Sequence, residues 1–259
     1  MTRHERRDGR APSVPAHVVG GRRAVLEAIR AAAAREVLVA RGARSTPGLR
    51  EVLAVAAEQG MKVREVERDE LDRLAPDHQG VAARVRTPEP IGERELAEWP
   101  FAEDALVVVL DGVTDPQNLG AAARSAEAAG AAMLVTRTRR AADVTPAAVR
   151  ASAGALLHLS HARVANIPRA LERLQGNGFT VVGLSEHAER TVFEETCPQG
   201  RLAMVLGDEG EGLARLTREA CDLLVRLPMR GRLGSLNASA SLAAALYAFV
   251  LPPRGDGRA

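Results

Sequence analysis

Aromatic side chains are nearly missing from this chain: they make up 2% of its 259 residues, with Trp99 and Tyr247 the sole tryptophan and tyrosine. Stacking of aromatic rings on nucleic-acid bases is therefore not expected to dominate any recognition it performs. Cysteine is as scarce, with Cys197 and Cys221 too far apart for a CxxC pair, so no disulfide is expected. With no apolar h-region opening the sequence, a reducing cytoplasm is the expected compartment. Long hydrophobic runs are missing too. The longest, near Ala243 to Leu251, contains Tyr247, follows Ser239 and Ser241 and is well short of a membrane span, which predicts a soluble protein with no membrane partner. No G-x-G-x-x-G opens a strand-helix turn, which argues against a Rossmann dinucleotide enzyme. His158 and His161 have an HxxH spacing, but the segment Leu156 to Val164 reads as a strand, which points them to opposite faces with no third ligand nearby. No metal is expected.

What is present begins with charge. The formal net charge is only +2, but it is unevenly spread: residues 1–90 carry 17 basic against 13 acidic side chains, and the rest of the chain carries 18 against 20. Residues 1–23 account for the N-terminal excess, with Arg3, Arg6, Arg7, Arg10, Arg22 and Arg23 against Glu5 and Asp8. A disordered basic tail explains this; so does a phosphate-seeking arm, since each arginine that meets a phosphate releases a counterion.

At 46% hydrophobic, the chain has material for two cores. Residues 1–13 are expected to be a disordered basic tail. Within 14–90, a helix over Gly20 to Ala34, a strand over Glu36 to Ala40, a helix over Pro47 to Gln59 and strands at Met61 to Val66 and Val81 to Val85 form a small α/β unit. Prolines and Gly92 interrupt periodicity between Pro88 and Pro100, which places a linker at 91–104. From Ala105 to residue 252 strand, turn and helix alternate: Leu106 to Leu110, Ala132 to Val135, Thr180 to Leu184, Leu202 to Leu206 and Leu223 to Leu227 read as strands. Leu119 to Ala129, Pro168 to Gln175 and Ser235 to Val250 read as helices. The fold class expected is α/β, with a mostly parallel sheet flanked by helices. Residues 253–259 are expected to be a second disordered tail.

Three segments at strand ends carry polar side chains that a fold alone does not require. In Leu110-Asp111-Gly112-Val113-Thr114-Asp115-Pro116-Gln117-Asn118-Leu119-Gly120, Asp115-Pro116 sets a turn, Asn118 is a candidate cap and Gly120 permits close backbone approach. Arg124 then interrupts a helix of small residues, where burial would cost several kcal/mol unless an anion paired with it. The second segment, Val205-Leu206-Gly207-Asp208-Glu209-Gly210-Glu211-Gly212, is glycine-rich and acidic, better suited to a ribose hydroxyl or a sulfonium cation than to phosphate. The third, Leu227-Pro228-Met229-Arg230-Gly231-Arg232-Leu233-Gly234-Ser235-Leu236-Asn237-Ala238-Ser239, is a basic loop with Ser235 as a candidate N-cap. Glu186, His187 and Asp143 fall in loops, where solvated polar residues are the default.

In this order and spacing the three segments resemble the signature motifs of the SpoU (TrmH-type) RNA ribose 2′-O-methyltransferases, a branch of the SPOUT superfamily. The likeness covers about residues 105–251, and the N-terminal unit, with Gly20 and His78-Gln79-Gly80, resembles the family's small RNA-binding domain. Two departures are Asp208, where a small or amide residue is usual, and Gly234 beside Ser235. The resemblance implies a SPOUT domain with a deep trefoil knot, and S-adenosylmethionine (AdoMet) as methyl donor held by Gly207, Leu227 and Leu236. It implies catalytic roles for Asn118, Arg124, Glu209, Ser235 and Asn237, and a homodimer with active sites near its interface. The implied substrate is RNA, most closely a guanosine of 23S rRNA or a large-subunit precursor. A tRNA or antibiotic-resistance rRNA methyltransferase, and a non-catalytic RNA-binding or assembly protein of the same fold, are the alternatives. A guanidinium with a pKa above about 12 is a poor general base, so the expected role of Arg124 is to clamp phosphate and stabilise charge on the 2′-oxygen.

Overall fold

A computed structural model describes residues 17–232 and 234–251; both expected tails lie outside the described residues. The first unit is a four-stranded sheet ordered β1-β4-β2-β3. It is built from β1 (His17–Gly20), β2 (Ala34–Ala40), β3 (Val63–Val66) and β4 (Val81–Val85), with α1 (Arg22–Arg30), α2 (Pro47–Glu58) and α3 (Arg68–Leu74). The helix expected over Gly20 to Ala34 is shorter than read. The chain before Gly21 pairs with β4 as an antiparallel strand, and Ala32 turns at φ 53°, so the alanine run that favours helix by propensity is spent on a turn and the start of β2.

The second unit is a six-stranded sheet ordered β10-β8-β9-β5-β6-β7, every ladder of it parallel. Its strands are β5 (Leu106–Asp111), β6 (Met133–Arg137), β7 (Ser160–Val164), β8 (Thr180–Leu184), β9 (Leu202–Gly207) and β10 (Leu223–Val225). The helices are α5 (Pro116–Ala128), α6 (Pro146–Ala151), α7 (Ile167–Gly176), α8 (Arg215–Glu219) and α9 (Ala238–Ala245), the last running into a π turn over Leu246–Val250. Side chains alternate across the sheet: Leu106, Val108 and Leu110 enter one core, which is shared with the first unit. Val107 and Val109 enter the other, beneath α7.

The segment expected as a linker is folded. Ile91 bridges to Ala162 in parallel, and α4 (Glu93–Glu98) packs against α7. The strand expected over Leu156 to Val164 begins only at Ser160, after a single 3₁₀ turn at Ala155–Leu157.

The two units meet directly. Arg150 Nη1 lies 3.0 Å from Asp77 Oδ2, and His158 Nε2 lies 3.2 Å from Glu27 Oε2. Gly154, at φ 96°, sits where a Cβ would come within 2.4 Å of Glu27 Cβ.

Candidate active site

From β5 the chain moves outward to β6 on one side, and from β9 it leaves toward β10 on the other. Adjacent strands whose connections diverge open a crevice at their C-terminal ends, where parallel sheets bind ligands. β5 ends there at Asp111, followed by Gly112, and β9 at Gly207, followed by Asp208, with Asp111 and Gly207 in register.

Three side chains from the three motif segments converge at this point. Asn118 Nδ2 donates to Glu209 Oε1 at 2.8 Å, and Asn237 Nδ2 donates to Asn118 Oδ1 at 3.0 Å and to the same Glu209 oxygen. The Ala238 N–H adds a fourth donor–acceptor contact, to Glu209 Oε1 at 3.3 Å. Segments separated by 91 and 28 residues are thus held by one carboxylate oxygen. Charge-assisted hydrogen bonds of this kind are roughly twice as strong as neutral ones.

Local capping differs from expectation at both helices. Asp115, not Asn118, caps α5, accepting from the Gln117 N–H at 3.1 Å with Pro116 in the first turn. This places Asn118 inside the helix, where its amide is released for Glu209. Likewise Asn237, not Ser235, caps α9: its Oδ1 accepts from the Ser239 N–H at 3.0 Å and from the Ser239 hydroxyl at 2.6 Å. Ser235 is exposed. Gly120 does permit a close approach, but to α6: a Cβ would lie 2.5 Å from the Ala148 carbonyl oxygen.

Beside the cluster lies a cavity lined by the loops after β8, β9 and β10. Gly207, Glu209, Leu227, Ser235 and Leu236 all line it. Gly207 has no room for a side chain, since its Cβ would stand 2.1 Å from the Gly212 carbonyl carbon. The turn from Asp208 to Gly212 is closed by reciprocal backbone bonds of 3.1 and 3.0 Å between those two residues. Apolar Leu184, Leu206 and Leu227 face a rim that includes Glu186, Asp208, Glu209 and Glu211. The combination suits a ligand with an apolar body, hydroxyl groups and positive charge.

Ser185, Glu186 and His187 also line this cavity, although no motif singled them out. The available signal was their place directly after β8, a parallel strand like the others. Arg124 is not with the cluster. It lies about 120° around α5 from Asn118 by helical geometry, is exposed, and has no carboxylate partner among the described residues. The burial cost anticipated for it therefore does not arise. His158 and His161 are separate: the first faces Glu27, and the second is buried, with Nε2 2.8 Å from Thr136 Oγ1. Among the described residues no group of three or more His, Cys, Asp or Glu is arranged to hold a metal, and no helix is long and apolar enough to cross a membrane.

Residues 105–247 match the family described as the SpoU rRNA Methylase family, and residues 18–91 match the domain described as RNA 2'-O ribose methyltransferase substrate binding. The chain is 41% identical over 210 residues to the 23S rRNA (guanosine-2'-O-)-methyltransferase RlmB of Pseudomonas putida, covering 80% of this chain and 84% of that protein. Among solved structures, the SpoU methyltransferase AviRb from Streptomyces viridochromogenes in complex with the cofactor AdoMet aligns with a TM-score of 0.73 at 30% identity, covering 90% of this chain and 89% of that one. A crystal structure of an RNA 2'-O ribose methyltransferase aligns with a TM-score of 0.75 at 31% identity, covering 90% and 87%.

Proposed function

The chain belongs to the SpoU rRNA methylase family, and on that premise we propose that it transfers a methyl group from AdoMet to a ribose 2′-hydroxyl of RNA, the target being a guanosine of 23S rRNA. The observation that carries this reading is the Asn118–Glu209–Asn237 cluster beside a cavity with apolar walls and an acidic rim. AdoMet supplies an electrophilic methyl on a sulfonium centre. Gly207, Leu227 and Leu236 hold its apolar and backbone-facing parts, and the carboxylates of the rim complement the positive charge.

In this reading Glu209 is the positioning centre. Its Oε1 accepts from the two asparagine amides and the Ala238 N–H, while Oε2 has no hydrogen-bond partner among the described residues and is the acceptor offered to a ribose hydroxyl. Fixing that oxygen against the methyl donor supplies proximity and orientation, which in-line displacement needs most. Ser235, exposed at the cavity edge, contacts the incoming nucleotide.

Arg124 works from a different surface, which supports a homodimer with sites near the interface. Tyr247 Oη donates to the Ala128 carbonyl at 3.4 Å, one helical turn beyond Arg124. Tyr247 and Leu251 are 54% and 41% exposed, and a second copy seated on this surface buries them and brings Arg124 to the partner's site. The trefoil knot belongs to the same proposal, supported by Asn237 and Ala238 tucking back onto the β9 loop. A cytoplasmic location follows from the rRNA substrate.

The test is incubation with methyl-labelled AdoMet and separate pools of unmodified 23S rRNA, 16S rRNA and tRNA, with the 2′-O-methyl position mapped by resistance to alkaline cleavage. Label at one guanosine of 23S rRNA is the expected result. Label in tRNA overturns the substrate, and AdoMet binding without transfer to any RNA or ribosomal particle overturns the catalytic reading. In the same assay Arg124→Lys is expected to lower kcat by more than about tenfold with AdoMet affinity intact, because a point charge does not replace the guanidinium fork.

A further inference from the structure

The cavity lined by the loops after β8, β9 and β10 is acidic, with Glu186, Asp208, Glu209 and Glu211 around it, yet one arginine lines it with them. Arg218, on α8, is the only arginine or lysine at this cavity among the described residues. It is partly buried, and its guanidinium makes no ion pair or hydrogen bond among the described residues. The carboxylate next to it on the helix is engaged elsewhere, Glu219 Oε1 lying 2.7 Å from Arg215 Nη1. His187, the other basic group at the cavity, lies 3.7 Å from Glu186. A cation drawn partly out of water without a counter-charge is costly unless a ligand supplies one.

Arg218 is also held on a rigid support. A helix of five residues has little stability of its own, so α8 depends on its ties to the sheet. At its start the Ala214 N–H donates to Asp111 Oδ2 at 3.2 Å. Beyond its end, Gln175 Nε2 donates to the Ala220 carbonyl at 3.1 Å and to Asp222 Oδ1 at 2.9 Å, while Asp222 Oδ2 accepts from the Val181 N–H at 2.7 Å. Gly183 of β8 makes room for the residues on either side of the helix: a Cβ there would stand 2.9 Å from Leu213 Cδ1 and 2.8 Å from Cys221 Sγ. The helix is thereby fixed beside the cavity, and a side chain on it that serves no fold contact is placed to meet a ligand.

We propose that Arg218 receives the α-carboxylate at the amino-acid end of AdoMet. AdoMet carries two cations, the sulfonium and the ammonium, and one carboxylate; an acidic cavity with a single guanidinium is the complement of that pattern. The forked N–H donors of arginine match a carboxylate bidentately, and the acidic rim alone would repel this end of the molecule. The inference rests on AdoMet as methyl donor and names the residue that holds the part of it the rim cannot. The by-product, S-adenosylhomocysteine, keeps the carboxylate and loses the sulfonium charge. Arg218 therefore holds donor and by-product alike, and the carboxylates of the rim tell them apart.

The test uses the full chain without RNA and compares Kd by calorimetry for AdoMet, S-adenosylhomocysteine and decarboxylated AdoMet. Arg218→Gln is expected to weaken the first two equally, by about ten- to thirtyfold, the scale of a lost charge-assisted hydrogen bond. Decarboxylated AdoMet should bind the variant as it binds wild type or more tightly, because a cation has been removed from beside a ligand that carries only positive charge. That retained binding also establishes that the variant folds. Arg218→Lys keeps the charge without the fork and should fall between the two; if the glutamine variant misfolds, the same comparison of ligands is made on the lysine variant. A loss shared equally by all three ligands, or no loss for AdoMet and S-adenosylhomocysteine, overturns the pairing and leaves AdoMet as the donor. A wild-type chain that binds neither AdoMet nor S-adenosylhomocysteine overturns the donor itself.

Discussion

The carboxylate of Asp111, the last residue of β5, accepts a hydrogen bond from the backbone N–H of Ala214, 103 residues later in the chain, at 3.2 Å. Its other oxygen lies 3.4 Å from Arg137 Nε, and the side chain is 1% exposed. Asp111 therefore fixes the end of the Asp208 to Leu213 loop against the strand that leads to Asn118. Asp111→Asn keeps the shape but leaves Arg137 without its counter-charge. Because Arg137 is partly solvated, the cost expected is about 1–3 kcal/mol, below the ~3–5 kcal/mol of a fully buried broken pair. The melting temperature should fall by several degrees and AdoMet affinity should weaken with it. An unchanged melting curve would remove Asp111 from this role.

Glu209 holds two asparagines through one oxygen, so its variants separate geometry from charge. Glu209→Gln retains a carbonyl that Asn118 and Asn237 can share, whereas Glu209→Ala leaves both amides to reorient. Expected losses in kcat are about tenfold for the glutamine variant and about a hundredfold or more for the alanine, since an error of about 1 Å in placement costs on that order. AdoMet binding by calorimetry should change far less than kcat. Equal activities of the two variants would argue that the cluster is only a structural tie.

A methyl group at position 207 tests how tightly the cofactor loop is built. The atoms in its way are Gly212 and Leu213 backbone, within 2.3 Å of the would-be Cβ, and backbone cannot rotate aside as a side chain would. Gly207→Ala should therefore displace the 208–212 turn, cost about 1–3 kcal/mol as an overpacking change, and abolish measurable AdoMet binding while circular dichroism still reports a folded chain. Wild-type AdoMet affinity in this variant would show that the turn does not shape the site.

Strands buried on both faces were legible because their apolar runs need no partner to be recognised: Leu106 to Leu110 and Leu202 to Leu206 lie inside β5 and β9. Helix ends were less so. Asn118 and Ser235 are good caps by type, but Asp115-Pro116 and Asn237 outcompete them, and the choice depends on where the helix packs. Gly207 was marked by its motif, yet its reason is a close approach to Gly212 that only the closed turn creates. Arg124 stood out because it interrupts a run of small residues, where burial would need an anion beside it. On α5 those residues face the core and Arg124 faces out, a matter of helix rotation fixed by Leu119, Ala123 and Ala126. Glu186 and His187 reached the cavity through sheet order, since β8 lies next to β9 despite the long connection between them.

His161 makes the fold sensitive to mild acid. Burial, reinforced by Arg163 and opposed by Asp143, lowers its pKa from 6.5 to about 4, and Thr136 occupies its Nε2. The unfolded chain takes up the proton near pH 6.5 and the folded chain only near pH 4, so the associated stability is complete above pH 6.5 and is lost progressively as pH falls through that window. With one pKa unit worth about 1.36 kcal/mol, the share lost between about pH 7 and pH 5 is about 2 kcal/mol. Urea unfolding of wild type at the two pH values should show this loss on top of the carboxylate background. His161→Gln, destabilised at both, should show a pH dependence smaller by about that amount, roughly 2 kcal/mol. Parallel pH profiles for the two proteins would mean that His161 is protonated in the folded state at about pH 5 and that burial does not exclude its charge.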